Sequence, residues 1–391
     1  MRVPLAFLFA WALALAGCVG PVALHEAVLG YDETISRLES ELLLLNIARA
    51  HHNLPDHFTV TSAIAATFDY RANVGFVGNF VNAGGDSYSF TLGASVAENP
   101  TLSIVPVQGE EFTKRILSPM DEGKFEFLVF QGAPLDMVLR LMADGIELQN
   151  RNGAFERFIL NWPTAPKEYE EFRRRALHLR WLNRTRNLFV GPVTFEEAIR
   201  AKLPVPPSAG ELVQALERGY RWRRLGAETE YELSKTVTGR VAVTNYDPRM
   251  LSNAERRALN ARAAANPPNF VLVDIRPGYP GGDFPLSGAI KLRSLNVILA
   301  FVAGGIGRSR EYDVGKDPRT ETVGRNPARA LAVEVSDIPP ADTMLRTAYA
   351  GQYYWVPNTP WDREAFVLLS KLFQMTVTDV SRVGVPVTIS K

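Results

Sequence analysis

The chain has 391 residues, with 43 Lys and Arg against 42 Asp and Glu, a net charge of +1 and a single cysteine. A balanced surface carries no footprint for nucleic acid or for an acidic substrate, and one thiol cannot build an internal disulfide framework. At 46% hydrophobic and 10% aromatic residues, the composition is that of a globular protein long enough for two or three domains with cores of their own.

Residues 1–17 read as a signal peptide. Arg2 supplies a positive start, and Leu5 to Ala16 is an uncharged apolar run of 12 residues, the length of a signal core and short for a membrane span. The small Gly17 then precedes the only cysteine. The stretch Leu15-Ala16-Gly17-Cys18 resembles the lipobox of bacterial lipoproteins. That resemblance implies a diacylated Cys18 thiol, cleavage just before it, and acylation of the freed amine. Val19 in place of an aspartate after the cysteine implies sorting to the outer membrane. An ordinary secretory signal would instead favour an A-x-A-like cut. One acyl chain binds only marginally, at about 0.8 kcal/mol per buried CH2, so two or three chains make a durable anchor. Removing Arg2 leaves 42 charges of each sign in residues 18–391. The longest later apolar run, around Leu295 to Ala303, is far short of a span. The mature chain is therefore expected to have no transmembrane helix and no cofactor beyond the acyl lipid on Cys18.

Residues 18–30 read as a lipidated tether and 31–150 as an N-terminal α+β region. Ile35, Leu38, Leu42 and Leu45, widened by Leu43, Leu44 and Ile47, predict a buried helix over Asp32–His52 that Pro55 ends. His57–Ala66 alternates like a strand. Period 2 then runs from Phe68 to Val81 and, after the turn signal Asn82-Ala83-Gly84-Gly85-Asp86, from Ser87 to Val96. This is a long amphipathic hairpin at 68–97. Its pattern fits a half-buried antiparallel sheet, which is the favoured expectation, and also a membrane hairpin, which needs several copies to close a barrel. Glu98-Asn99-Pro100 reads as a turn, Thr101–Val107 as a strand, and Gly109–Leu117 and Pro134–Asn150 as helices.

Several short stretches resemble a family of predicted bacterial lipoproteins: Leu43-Leu44-Leu45-Asn46-Ile47-Ala48-Arg49 with Pro55 and Phe58, Glu98-Asn99-Pro100-Thr101, Pro106, Gly109-Glu110, Phe112, and Tyr354-Trp355-Val356-Pro357 before a leucine-rich helix. The resemblance brings no catalytic residues.

Residues 151–226 are expected to be helix-rich. Thr164 is a cap for a helix from Pro166 with Tyr169, Phe172, Ala176 and Leu179 on one face. Its acids lie early and its arginines late, which suits the helix dipole. Arg173, Arg174 and Arg175, with Arg221, Trp222, Arg223 and Arg224, are candidate ligand-binding residues for phosphates of lipopolysaccharide or anionic lipid, weighed against ordinary solvated basic faces. Residues 227–391 read as a C-terminal α+β region. It holds a hairpin over Glu228–Thr236 and Arg240–Tyr246 around Gly239, an exposed helix over Ser252–Asn266 and an apolar strand at Asn269–Ile275. A core helix at Ser294–Ala303 and a mobile loop at Gly304–Asn326 follow. Strands at Ala328–Val335 and Leu345–Val356, the latter folded at Ala350-Gly351, a capped helix from Thr359 and a strand at Val385–Ile389 complete it.

The motif search for chemistry finds no G-x-S-x-G elbow, no H-E-x-x-H and no phosphate loop. Gly304-Gly305-Ile306-Gly307 follows a helix rather than a strand, which speaks against dinucleotide binding. His51, His52 and His57 lack metal-ligand spacing. The acid pairs Asp121-Glu122 and Glu110-Glu111 decide nothing among 42 acids. Tyr353, Tyr354, Trp355 and Trp361 read as an aromatic cluster against the last helix. The expectation is an α+β protein of antiparallel hairpins and sheets packed with helices. No residue is assigned to catalysis or to a metal. The chain is expected to be anchored through Cys18 to the outer membrane with its body in the periplasm, and to associate with an envelope partner or with itself. A hydrolase of cell-wall or surface glycans, and an oligomeric pore built from hairpin 68–97, are the alternatives.

Overall fold

The computed structural model describes residues 19–79, 87–107, 109–150, 153–203, 205–225, 230–307, 309–376 and 387–390. The lipobox through Cys18, the turn residues Asn82–Asp86 and Val385 lie outside the described residues. The elements in chain order are α1 (Val19–His51), β1 (Phe58–Asn79), β2 (Ser87–Val107), α2 (Glu110–Leu117), α3 (Glu122–Phe130), α4 (Leu135–Met142), β3 (Ala143–Gln149), β4 (Phe155–Leu160) and α5 (Pro166–Arg184). There follow β5 (Phe189–Lys202), α6 (Ala209–Glu217), β6 (Tyr220–Leu225), β7 (Glu230–Thr244), α7 (Asn253–Ala264), β8 (Phe270–Ile275), β9 (Leu286–Leu292) and α8 (Leu295–Gly304). The last are β10 (Glu334–Ser336), β11 (Thr343–Tyr349), β12 (Gln352–Pro357), α9 (Pro360–Gln374) and β13 (Val387–Ser390). The fold is α+β, and no described helix is long and apolar enough to cross a membrane.

The described residues divide into two compact units, one drawn from Met1–Asn46, Pro55–Phe112 and Val377–Lys391, the other from Ile47–Leu54 and Thr113–Thr376. In the first, α1 already begins at Val19, so the expected tether is helical. Pro21 sits in the first turn, where a missing N–H removes no helix bond, and the Ala, Leu and Glu that follow are strong helix formers. Leu43 and Leu44 are buried, but Ile35, Leu38, Leu42 and Leu45 are only half-buried, so the helix expected to be buried over Asp32–His52 is buried only towards its C-terminal end. Asn46 is buried too, and its amide accepts from the His57 N–H at 2.9 Å and donates to the His57 carbonyl at 3.0 Å, fixing the chain just before β1.

Strands β1 and β2 contain 22 and 21 residues and pair antiparallel from Phe58↔Val107 to Asn79↔Ser87, with one register shift at Thr61/Ala63. The separate strands expected at 57–66 and from residue 68 are thus one strand. Glu98-Asn99-Pro100, read as a turn, lies inside β2, with Pro100 opposite Ala66. Among the described residues the third strand, β13, pairs only with Thr101–Ile104 and leaves Pro100 without a neighbour on that side, and an edge is where a strand tolerates proline.

The second unit is built on a seven-stranded sheet of order β4-β3-β9-β8-β7-β5, with β6 also paired to β7. Strands from before residue 150, from 151–226 and from beyond 227 all join it. Every pairing is antiparallel except β7 with β8. That parallel pair is connected through α7, which a Ser252/Glu255 capping box starts and whose Leu259 and Ala263 pack with Val193, Ala242 and Leu272. The central strand β8 is buried along nearly its whole length and reads as an apolar run broken only by Asp274, whereas β9, though mostly buried, carries Ser287 and Lys291 and shows no such run.

Three local expectations are corrected here. The helix from Pro134 stops at Met142, and residues 143–149 are β3, because Gly145 lies against β4 so closely that a Cβ would sit 2.3 Å from the Ile159 carbonyl. Gly239 is not a turn: β7 runs straight through it, and a Cβ there would meet the Asn260 amide at 2.1 Å and the Val193 carbonyl at 2.8 Å. Residues 151–226 contribute β4, β5 and β6 as well as α5 and α6, and α5 is capped at Ala165 without a side-chain bond rather than by Thr164. Helix α3 and strand β9 had no counterpart among the expected elements. By contrast Tyr169, Phe172, Ala176 and Leu179 are all buried on α5. The Ala350-Gly351 turn, with φ of 51° and 80°, folds β11 onto β12. Thr359 caps α9 by accepting the Asp362 N–H at 3.0 Å.

Candidate functional site

The described side chains concentrate their chemistry in two places in the second unit. The first is a buried network of charged groups centred on Glu311. Helix α4 is apolar except for Asp136 and Arg140, one turn apart, and both are fully buried. Arg140 donates to Glu311 at 2.9 Å and to the carbonyls of Pro327 and Ala328. From α5, the Tyr169 hydroxyl donates to Glu311 at 2.8 Å and itself accepts from Arg173, while Arg180 pairs with Asp136 at 2.9 Å. The Ala330 N–H donates to the other Glu311 oxygen at 2.6 Å. Burial alone would raise the Glu311 pKa, but Arg140, the Ala330 N–H and Arg173 outweigh it and hold the carboxyl below its ordinary range. The Asp136 carboxyl moves the other way, because its burial exceeds what Arg180 and Arg140 return.

Arg293, between β9 and α8, is the third fully buried guanidinium. It donates to the carbonyls of Arg140, Leu141 and Asn161 and stacks on Phe301 at 4.0 Å and Trp162 at 4.7 Å. Burial lowers its pKa to about 9, which leaves it protonated at neutral pH. Arg140, Arg173 and Arg180 donate to the carbonyls of Arg325, Pro327 and Ala328, in the irregular chain between α8 and β10, whereas Arg293 is spent on carbonyls of α4 and of Asn161 after β4. The stretch expected to be a mobile loop therefore buries Glu311, Val314, Asp317 and Thr320. His178 joins it, with Nδ1 2.9 Å from the Thr320 hydroxyl and Nε2 2.9 Å from the Gly281 carbonyl. Burial lowers the His178 pKa against the opposing pull of the Gly281 carbonyl.

The second place is a cleft of about 510 Å³ at the ends of β3 and β8, walled by Gln149, Arg175, Arg262, Asp274, Arg276 and Ser287. Asp274 is buried and accepts from the Tyr246 hydroxyl at 2.6 Å and from Arg276 at 2.7 Å, with Arg262 at 3.4 Å. Arg276 also lies over the Tyr246 ring at 4.3 Å. The carboxylate thus ties two guanidinium groups and a phenol together, in a wall that also holds Glu156. Burial and the Asp274 hydrogen bond raise the Tyr246 pKa, so the phenol stays protonated.

The basic runs singled out in the sequence are divided by this structure. Arg173 is buried and bonded to Tyr169, Asn326 and two carbonyls, which removes it from any phosphate-binding surface. Arg174 pairs with Glu170 on the same helix, and Arg175 pairs with Glu171 and stacks on Phe284. Arg221, Trp222, Arg223 and Arg224 form part of β6, where Arg223 pairs with Glu232 and Trp222 packs edge-on against Tyr231. The two runs belong to different elements and share no bond among those described. Of the acid pairs, Asp121 caps α3 and Glu122 pairs with Arg240 at 2.7 Å, while Glu110 and Glu111 occupy the first turn of α2. His52 lies 2.7 Å from the Tyr354 hydroxyl. Tyr354 and Trp361 are both buried, and Trp361 lies within 6 Å of the Arg140, Arg180 and Arg325 guanidinium groups. Among the described residues no cluster of three His, Cys, Asp or Glu could hold a metal ion.

Sequence reading missed Glu311, Arg140, Arg293 and Asp274. A usable signal existed for Arg140: Asp136 and Arg140 stand four apart on an otherwise apolar helix, which buries both unless the helix is peripheral. The chain matches no protein-family model, no curated protein and no solved structure.

Proposed function

We propose that this chain is a lipid-anchored protein of the outer membrane, with its body in the periplasm, that serves the cell envelope by assembly rather than by catalysis. Its partners are copies of itself or a secretion or surface-polymer export system. The observation that carries this reading is Leu15-Ala16-Gly17-Cys18 behind a 12-residue apolar run, with the only thiol of the chain at the acylation position. Two features support it. Strands of 22 and 21 residues are several times the usual length of a globular strand and offer a long pairing edge. The buried ionised groups of the second unit bond to each other and to backbone carbonyls, as in a framework.

The test is metabolic labelling with a tagged fatty acid, followed by membrane fractionation, of the wild type and Cys18→Ser. Incorporation of the label in the wild type and its loss in the variant are expected. An unlabelled wild type, with the variant still firmly bound, would overturn the anchor. Turnover of peptidoglycan, ester or glycan substrates, abolished by one Asp or Glu substitution, would replace assembly with hydrolysis.

A further inference from the structure

We propose that the distal part of the β1–β2 hairpin inserts in the membrane and pairs edge to edge with the same hairpin of other copies of this chain, closing a shared transmembrane β-barrel. This deepens the reading of an anchored, assembling protein and rests on it. Four observations carry it.

The register places Val74 opposite Leu92 and Phe76 opposite Phe90 on one face of the ladder. Asn73 opposite Gly93, Gly75 opposite Thr91, Val77 opposite Ser89 and Asn79 opposite Ser87 occupy the other, where Val77 is the one sizeable apolar residue. An aromatic and aliphatic face backed by a small polar face is the alternation of a strand with lipid on one side and water on the other. Charge is absent from both Ala72–Asn79 and Ser87–Ala97, and returns at Asp69, Arg71 and Glu98 on one side and Asp86 on the other. The charge-free ladder has eight paired positions, Ala72↔Ala94 to Asn79↔Ser87, and the sequence stays uncharged to Gly85, which matches the roughly 9 to 11 residues of a tilted membrane strand.

The edges decide the occupant. Among the described residues β1 has no neighbour other than β2, and β13 covers β2 only at Thr101–Ile104. Both edges of the charge-free ladder are therefore open at the same level. Open edges exclude insertion of one hairpin alone, because nothing in the hydrocarbon would satisfy its N–H and C=O groups. A second copy satisfies them: its β1 runs antiparallel beside the first copy's β2, and repetition of this head-to-tail contact closes a ring. A soluble sheet would leave β1, 22 residues long, as an uncovered template for aggregation.

Because Cys18 is the only native cysteine, single cysteines can be placed in the full-length protein and probed in native membranes. Asn73→Cys, Val77→Cys and Thr91→Cys should react with a water-soluble maleimide, while Val74→Cys, Phe76→Cys and Leu92→Cys should react only with a lipid-soluble one. One cysteine in each strand should yield a ladder of cross-linked copies, and replacing residues 73–93 by an Asn-Gly turn should abolish the ladder. Fatty-acid incorporation is read on the same samples. Anchored protein that labels equally on both faces and cross-links to no second copy overturns the barrel alone. Alternating labels with a ladder on unacylated protein support the barrel and overturn only the anchor.

Discussion

The β1–β2 hairpin and the seven-stranded sheet apply the same backbone rule to opposite ends. In the large sheet, β8 is buried on both faces and has neighbours on both sides, so its sequence from Phe270 to Val273 is an apolar run without alternation. The hairpin alternates strictly, carries no charge over its distal part and has open edges there among the described residues. Alternation is thus the mark of a sheet whose two faces meet different surroundings, and a long, charge-free open edge is what the proposed pairing with other copies would cover. In the second unit the buried charges around Glu311 are paired among themselves, Arg140 and Tyr169 with Glu311 and Arg180 with Asp136.

If that is right, the second unit should be easy to break from within and indifferent to the hairpin. Glu311→Ala leaves Arg140 buried without its carboxylate and the Tyr169 hydroxyl without its acceptor, and should cost about 3–5 kcal/mol in urea unfolding followed by tryptophan fluorescence. Gly145→Ala, which forces a Cβ against the Ile159 carbonyl, should cost about 1–3 kcal/mol by the same measurement. Ser252→Ala removes the side-chain cap of α7 and should cost about 1 kcal/mol. A smaller, pH-dependent effect comes from His178. Its pKa is lowered in the fold, so the unfolded chain takes up a proton first as pH falls through 6.5. Its contribution is complete above that value and fades below it, and His178→Gln should flatten this part of the stability profile between pH 7 and about 5. Smallest of all, Phe76→Arg should leave the urea transition of the second unit unchanged, because the substitution lies in the other unit.

What the sequence made legible follows the same division. Helix α5 and strand β8 were readable because their apolar spacing is local, and helix α9 because its spacing and its Thr359 cap both are. Gly145 and Gly239 were not, because each glycine answers to a distant carbonyl or amide that no local pattern reveals. Pro100 was misread for a related reason: a proline signals a turn unless the strand is an edge, and edge status is a property of the sheet. The buried network was the least legible part. Arg173 looked like one of three basic residues on a solvated face, yet it is buried and its helix neighbours Arg174 and Arg175 are the ones paired near the surface. Glu311 lies in a glycine-rich, charged stretch whose composition suggests mobility, and only the cations of α4 and α5 make it a centre.

The most direct measurement of an anchored protein that works by assembly is the native mass of the full-length, lipidated chain extracted from its own membranes in mild detergent. The account predicts a defined particle containing several copies, or copies bound to one envelope partner. A uniform monomer that remains acylated at Cys18 would contradict it.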